Sequence, residues 1–270
     1  MIPGRGLYAY AIVGKSPQQL EIVGVDKKSN VYSVGENDIC VIVSEIAIDQ
    51  FQNQVKNLIS ELTKNTENIQ NESGEVLQAH ETVIEALMHD DTTVVPLKFG
   101  TVLKDEKAVL KMVQDRGEEF KSLLARFAGK VEWGLKAYID IQALNKYVVD
   151  TESKFSDLKA RREKLSRGAA YLLGKKMEEE VRDHIATLLA QVTEEIFQEL
   201  GREASEAHLN NILPQKMTGK KKEMILNAAY LVERTKVAHL HQQGKSLMEK
   251  YEFMSLDLEF SGPWPPYNFT

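Results

Sequence analysis

Three of the chain's seven prolines and one of its two tryptophans fall in the last nine residues, Gly262-Pro-Trp-Pro-Pro-Tyr-Asn-Phe-Thr270. Proline fixes φ and removes a backbone donor. From Gly262 onward the sequence therefore predicts neither helix nor ladder-paired strand, but an extended, polyproline-like tail over 262–270. Disordered tails are poor in aromatics, and this one is not. Pro263, Trp264, Pro265, Pro266, Tyr267 and Phe269 accordingly read as a docking segment, either a latch on the chain's own body or one wall of a partner groove. Just before it, Phe253 to Phe260 alternates apolar and polar residues as a half-buried strand does.

A chain of 270 residues is long enough for two domains. The longest uncharged apolar runs, Ile185–Thr193 and Met224–Val232, are about half of the roughly 20 residues that cross a bilayer. Met1-Ile-Pro-Gly-Arg-Gly6 lacks the apolar core of a signal peptide, so the expectation is a cytoplasmic protein with no membrane contact. One cysteine, Cys40 in an apolar run, excludes an internal disulfide and a cysteine metal cluster, and reads as a small buried hydrophobe. Residues 1–129 carry 13 Lys/Arg against 19 Asp/Glu, whereas 130–270 carry 21 of each. An acidic first half does not neutralise phosphates, and no RNA-binding aromatic motif occurs, so nucleic acid is not an expected partner.

Along the chain, Leu7–Val13 reads as a strand, Gly24–Asn30 as a turn between short strands, and Asp38–Ser44 as a central strand buried on both faces. Helical spacing covers Asp49–Ile69, Val76–Met88 and Asp105–Phe127, with Thr63–Gly74 as a polar surface loop and Gly129 as the last helix's stop. Thr93–Leu97 is an edge strand with Pro96 at its end. After Gly129 come a strand at Val131–Ile139, a long helical stretch Ser153–Leu200 broken near Gly168–Gly174, strands at Ala204–Leu209 and Met224–Val232, a helix at Thr235–Tyr251, and the strand from Phe253. The fold class is α+β in two domains: an α+β domain over 1–129, then a modified ferredoxin-like β-α-β-β-α-β domain with long helices over 130–261.

Catalytic signatures are weak. His80 and His89 flank the second helix at a spacing of nine, unsuited to zinc, and read as helix-end histidines meeting backbone or solvent. His239 and His241 point to different sides of a helix. His89-Asp90-Asp91 reads as turn chemistry, and Lys220-Lys221-Lys222 as a solvated hairpin tip. No phosphate loop or nucleophile elbow is present. No cofactor, metal or catalytic residue is expected. The other reading is a small-molecule-binding or enzymatic ferredoxin-like protein, which would require a deep polar pocket holding perturbed carboxylates or histidines.

Leu7-Tyr-Ala-Tyr-Ala-Ile-Val13, Val94-Val-Pro-Leu-Lys-Phe-Gly-Thr-Val102, Val131-Glu-Trp-Gly-Leu-Lys136, Gly168-Ala-Ala-Tyr-Leu-Leu-Gly-Lys175, Ala229-Tyr-Leu-Val232 and Gly262-Pro-Trp-Pro-Pro-Tyr267 occur in that order. Together they resemble the gas vesicle F/L family (GvpF/GvpL) over essentially the whole chain. Lys98 stands where the family often has Arg, keeping the charge but not the planar fork. The resemblance implies a non-enzymatic minor structural or assembly protein of gas vesicles. It implies binding to the small hydrophobic shell subunit (GvpA-type) and to other accessory proteins during nucleation or growth, limiting that subunit's aggregation. The expected location is the cytoplasm and the gas vesicle. The expected binding surface is apolar, and the tail helps to form it.

Overall fold

The computed structural model describes residues 4–16, 20–36, 38–63, 72–88 and 92–270. The chain divides into two units, Met1–Val131 with Trp264–Thr270, and Glu132–Pro263. His89, Asp90, Asp91 and residues 64–71 of the polar stretch lie outside the described residues.

The first unit is built on β1 (Arg5–Val13), β2 (Val31–Glu36), β3 (Ile39–Ala47), β4 (Val94–Pro96) and β5 (Val102–Leu103), in the order β2-β3-β1-β4 with β5 also on β1. All of these pairings are antiparallel. Central position explains the unbroken apolar runs of β1 and β3: both are covered on two faces, and Tyr8, Ala9, Ile12, Val41, Ile42 and Val43 are fully buried. Ala9 faces Val43 but Ala11 faces Ile42, so Tyr10 forms a bulge in β1. Helices α1 (Ile48–Thr63) and α2 (Glu72–Met88) pack with the tyrosines of β1, while α3 (Glu106–Phe127) packs on β2, β3 and β4. The start of α3 is set by Asp105, whose carboxylate accepts from the Ala108 amide at 2.9 Å. Its buried Val109, Val113, Phe120 and Phe127 form one stripe.

The second unit's sheet holds β6 (Lys130–Ile139), β7 (Glu206–Leu209), β8 (Glu223–Glu233) and β9 (Asp257–Trp264) in the order β7-β8-β6-β9. Its helices are α4 (Ile141–Thr151), α5 (Ser153–Arg162), α6 (Arg167–Gly201), the short α7 (Gln215–Thr218) and α8 (Val237–Lys250). Helix α4 was not anticipated; Asp140 caps it, accepting from the Gln142 and Ala143 amides at 2.8 and 3.1 Å. The apolar stripe of α6 (Val181, Ile185, Val192, Ile196, Leu200) joins Leu135, Ile139, Leu226, Tyr230 and Leu240 in one core. Each such side chain is worth roughly 1.5–3 kcal/mol when fully buried.

Four expectations are corrected. The helical stretch breaks at Glu163–Ser166, not between Gly168 and Gly174, and α6 runs 35 residues through both glycines. Gly174 serves close packing instead: a Cβ there would lie 2.9 Å from the guanidinium carbon of Arg162, which crosses the helix at that point. The last strand begins at Asp257, because Glu252–Met254 forms a 3-10 turn ended by Ser255 at φ 52°. It then continues through Gly262 and Pro263 to Trp264, so the expected stop at Gly262 is wrong. An edge strand can carry proline, since its outer donors need no partner. Gly262, at φ 141°, takes a backbone that other residues rarely adopt, and its peptide bond to Pro263 is cis. Tyr267–Phe269 closes the chain as a 3-10 turn, not an extended tail.

Candidate interaction surface

The final residues belong to the first unit from Trp264 onward. Pro265, Pro266 and Phe269 are buried, Trp264 is half-buried, and Tyr267 stays 37% exposed. The turn is held by the Tyr267 amide donating to the Pro265 carbonyl at 2.7 Å and the Phe269 amide to the Pro266 carbonyl at 3.2 Å. Arg126, at the end of α3, donates to the Phe269 carbonyl at 3.0 Å. Proline supplies little entropy to lose on ordering, and a charged donor on a backbone oxygen is among the stronger hydrogen bonds. Pro263 lies in the second unit, exposed at the end of β9. The six aromatic and proline residues singled out in the sequence are thus divided: five lie in the first unit and one precedes it.

Titratable groups inside the first unit form a second assembly. His80 is not a helix-end residue: it sits within α2, 2% exposed, with Nδ1 2.9 Å from the Tyr8 hydroxyl. The Gly100 amide donates to that same hydroxyl at 3.1 Å. With Nδ1 paired to the Tyr8 hydroxyl, His80 Nε2 is left as a buried atom with no hydrogen-bond partner. Burial pushes the imidazole down to about 4 and the Tyr8 phenol up. Beside it the Tyr10 hydroxyl accepts from the Val25 amide at 2.8 Å and lies 2.8 Å from Ser44 Oγ; burial lifts this phenol to about 12. The Tyr8 ring meets Tyr10, Phe51 and Phe99 edge to face, His80 meets Phe99 the same way, and Tyr10 stacks on His80. The arrangement fixes the core's register and keeps His80 neutral. Sequence reasoning missed it because a single histidine on a helix carries no sign of the tyrosine that the sheet brings opposite.

Other charged groups pair internally. The lysine tip is solvated at Lys221, which is exposed, while its half-buried neighbours are also paired: Lys220 with Glu259 and 4.5 Å from the Tyr138 ring, and Lys222 donating to the Ser255 carbonyl at 2.9 Å. His241 packs against Trp133 and Phe260, while His239 is exposed. Among the described residues no group of three or more His, Cys, Asp and Glu is placed to hold a metal ion. No described helix is long and apolar enough to cross a membrane.

Among the described residues, cavities open on both units. One of about 490 Å³ in the first unit is lined by Arg5, Tyr32, Glu45, Lys104 and Glu106. Arg5 and Glu45 close on each other at 2.9 Å, and burial, followed by Glu106, pushes the Tyr32 phenol up to about 12. Another, about 700 Å³, is a mostly apolar groove between α4 and α6. His80 lines neither.

Residues 6–270 match the family model described as gas vesicle synthesis protein GvpL/GvpF. The chain is 25% identical to gas vesicle protein L1 of Halobacterium salinarum over 273 residues, covering 98% of this chain and 90% of that protein. It is 28% identical to gas vesicle protein L of a Streptomyces species over 193 residues, covering 72% and 68%. The crystal structure of gas vesicle protein GvpF from Anabaena superposes with a TM-score of 0.67 at 24% identity, covering 98% of this chain and 97% of that one. At that identity the likeness speaks for the fold, a mixed α+β architecture with two antiparallel sheets.

Proposed function

Because the chain belongs to the GvpL/GvpF family of gas vesicle synthesis proteins, we propose that it is a gas vesicle assembly component that binds the small hydrophobic shell subunit (GvpA-type). It holds that subunit, together with other accessory proteins, during nucleation or growth and limits its aggregation. Its second unit is a modified ferredoxin-like domain, supported by the strand order β7-β8-β6-β9 with helices between β6 and β7 and between β8 and β9. The observation that carries the reading is the extent of the family match, which takes in both units and the tail. A partner rich in apolar helix suits an apolar receiving surface. The tail supports such a surface: Pro265, Pro266 and Phe269 anchor it while the Tyr267 ring stays exposed.

The test is co-purification of the tagged protein with the shell subunit, for wild type, Trp264→Ala and Tyr267→Ala, each checked for folding by circular dichroism. Capture by wild type and its loss in the folded variants is the expected result. Equal capture by all three would remove the tail from the binding surface. No capture by any of them would direct the search to other accessory proteins as the direct partners.

A further inference from the structure

The groove between α4 and α6 and the tip where α5 meets α6 form one continuous feature of the second unit. Its walls are Ile141 and Val149 on α4, and Met177, Val181, Ile185 and Leu189 on α6. The α6 lining from Gly174 to Leu189 extends about 22 Å at 1.5 Å per residue, the length of about four helical turns. At the Gly174 end the Arg162 guanidinium lies against the helix and forms part of the groove's lining. Beyond it Tyr171 is 62% exposed and Leu172 69%. Tyr171 precedes Gly174 by three residues, so it continues the face that lines the groove.

The charge at the α5–α6 tip is predominantly basic, whereas the groove wall further along α6 carries both Glu178 and Arg182. Residues 159–176 carry Lys159, Arg161, Arg162, Lys164, Arg167, Lys175 and Lys176, against Glu163 alone, in a chain of net charge −6. All seven are exposed. Lys159 pairs with Asp150 and Lys176 with Glu180. Arg161, Lys164, Arg167 and Lys175 make no ion pair among the described residues. A folded chain leaves few large apolar side chains exposed inside a cluster of uncompensated like charge unless a complementary surface covers them.

We infer that this groove receives an amphipathic helix of a partner protein, its apolar face against Met177, Val181 and Ile185 and its acidic end against the basic α5–α6 tip. A bilayer surface is favoured less, because the apolar lining is concave, a shape that takes side chains and not a flat interface. Nucleic acid would satisfy the cations but leave the apolar groove empty. The groove shares no residue with the C-terminal tail, so binding there and at the tail is read by separate variants.

The probe is a fluorescein-labelled synthetic helix of Leu, Ala and Glu, about 15–18 residues long so as to be marginally helical alone, titrated with the full-length protein by fluorescence anisotropy. Saturable binding that weakens with rising salt is expected. Ala186→Trp, at an exposed position on the groove wall, should fill the groove and weaken binding at least tenfold. The combination Arg161→Glu, Lys164→Glu and Arg167→Glu, all exposed, should do the same and abolish the salt dependence. It does so without touching the core, so it stands if the tryptophan variant fails to fold. The inference is overturned if the wild type does not bind the peptide or if both folded variants bind it as wild type does. It is equally overturned if a Leu, Ala and Lys counterpart binds as tightly, or if anionic phospholipid vesicles or duplex DNA bind in a variant-sensitive way and the peptide does not displace them.

Discussion

The two units solve the same problem, covering a small antiparallel sheet with helices, with different chemistry at the centre. The second unit's core is mostly aliphatic, with side chains of α6 and α8 against Leu135, Ile139 and Leu226, and its buried Tyr230 donates to the Phe197 carbonyl at 3.3 Å. The first unit places a hydrogen-bonded Tyr8–His80 pair and a Tyr10–Ser44 pair among its apolar residues. An aliphatic core is indifferent to pH and fails mainly by leaving cavities. A hydrogen-bonded polar core specifies one arrangement but carries a titrating group that costs stability when it must charge.

The largest break in that comparison is expected in the second unit. Ile196 is fully buried in the α6 stripe, and Ile196→Ala should destabilise by about 2–5 kcal/mol. Hydrogen exchange at β8 amides should register the loss equally at pH 7 and pH 5. A loss confined to low pH would mean that the aliphatic core is coupled to a titrating group.

Next comes His80. An unfolded histidine takes its proton near 6.5, whereas burial holds this one at about 4. Between those values the unfolded state binds more protons. The first unit's stability is therefore complete above about pH 6.5 and declines as the pH falls toward 4, by roughly 3 kcal/mol in all. In His80→Phe that slope should vanish from the exchange of β1 amides while exchange in β8 is unchanged; a slope that survives the substitution would place its origin elsewhere. Smallest is the tail anchor. Arg126→Ala removes the charged donor on the Phe269 carbonyl and should loosen the turn by about 1 kcal/mol, seen as faster amide exchange at Tyr267 and Phe269 and nowhere in the second unit.

Much of this architecture is legible from local pattern. The strands of β1 and β3, the α3 stripe with its Asp105 cap and the α6 stripe follow from periodicity and end signals, because burial on one or two faces writes itself into residue spacing. Helix α4 was missed because its 11 residues hold only two buried positions, Leu144 and Val148, too short a stripe to stand out. Of the candidate surface, the tail's aromatic and proline content marked it as a candidate, and the exposed basic tip at 159–176 was present in the sequence but hidden inside a helical stretch whose break was placed near Gly168–Gly174.

The sequence by itself determined which segments become strand or helix, and through its ordered motifs the family, since these depend on neighbours a few residues apart. Only the tertiary structure decided the rest. Gly174 makes room for Arg162 where a helix break was expected, the chain continues in β9 past a proline, and Lys220 closes on Glu259. His80 is held neutral because the fold buries it, and β1 brings the Tyr8 hydroxyl to its ring from 72 residues away. Close approach, edge position and desolvation are properties of what lies across space, and no spacing along the chain encodes them.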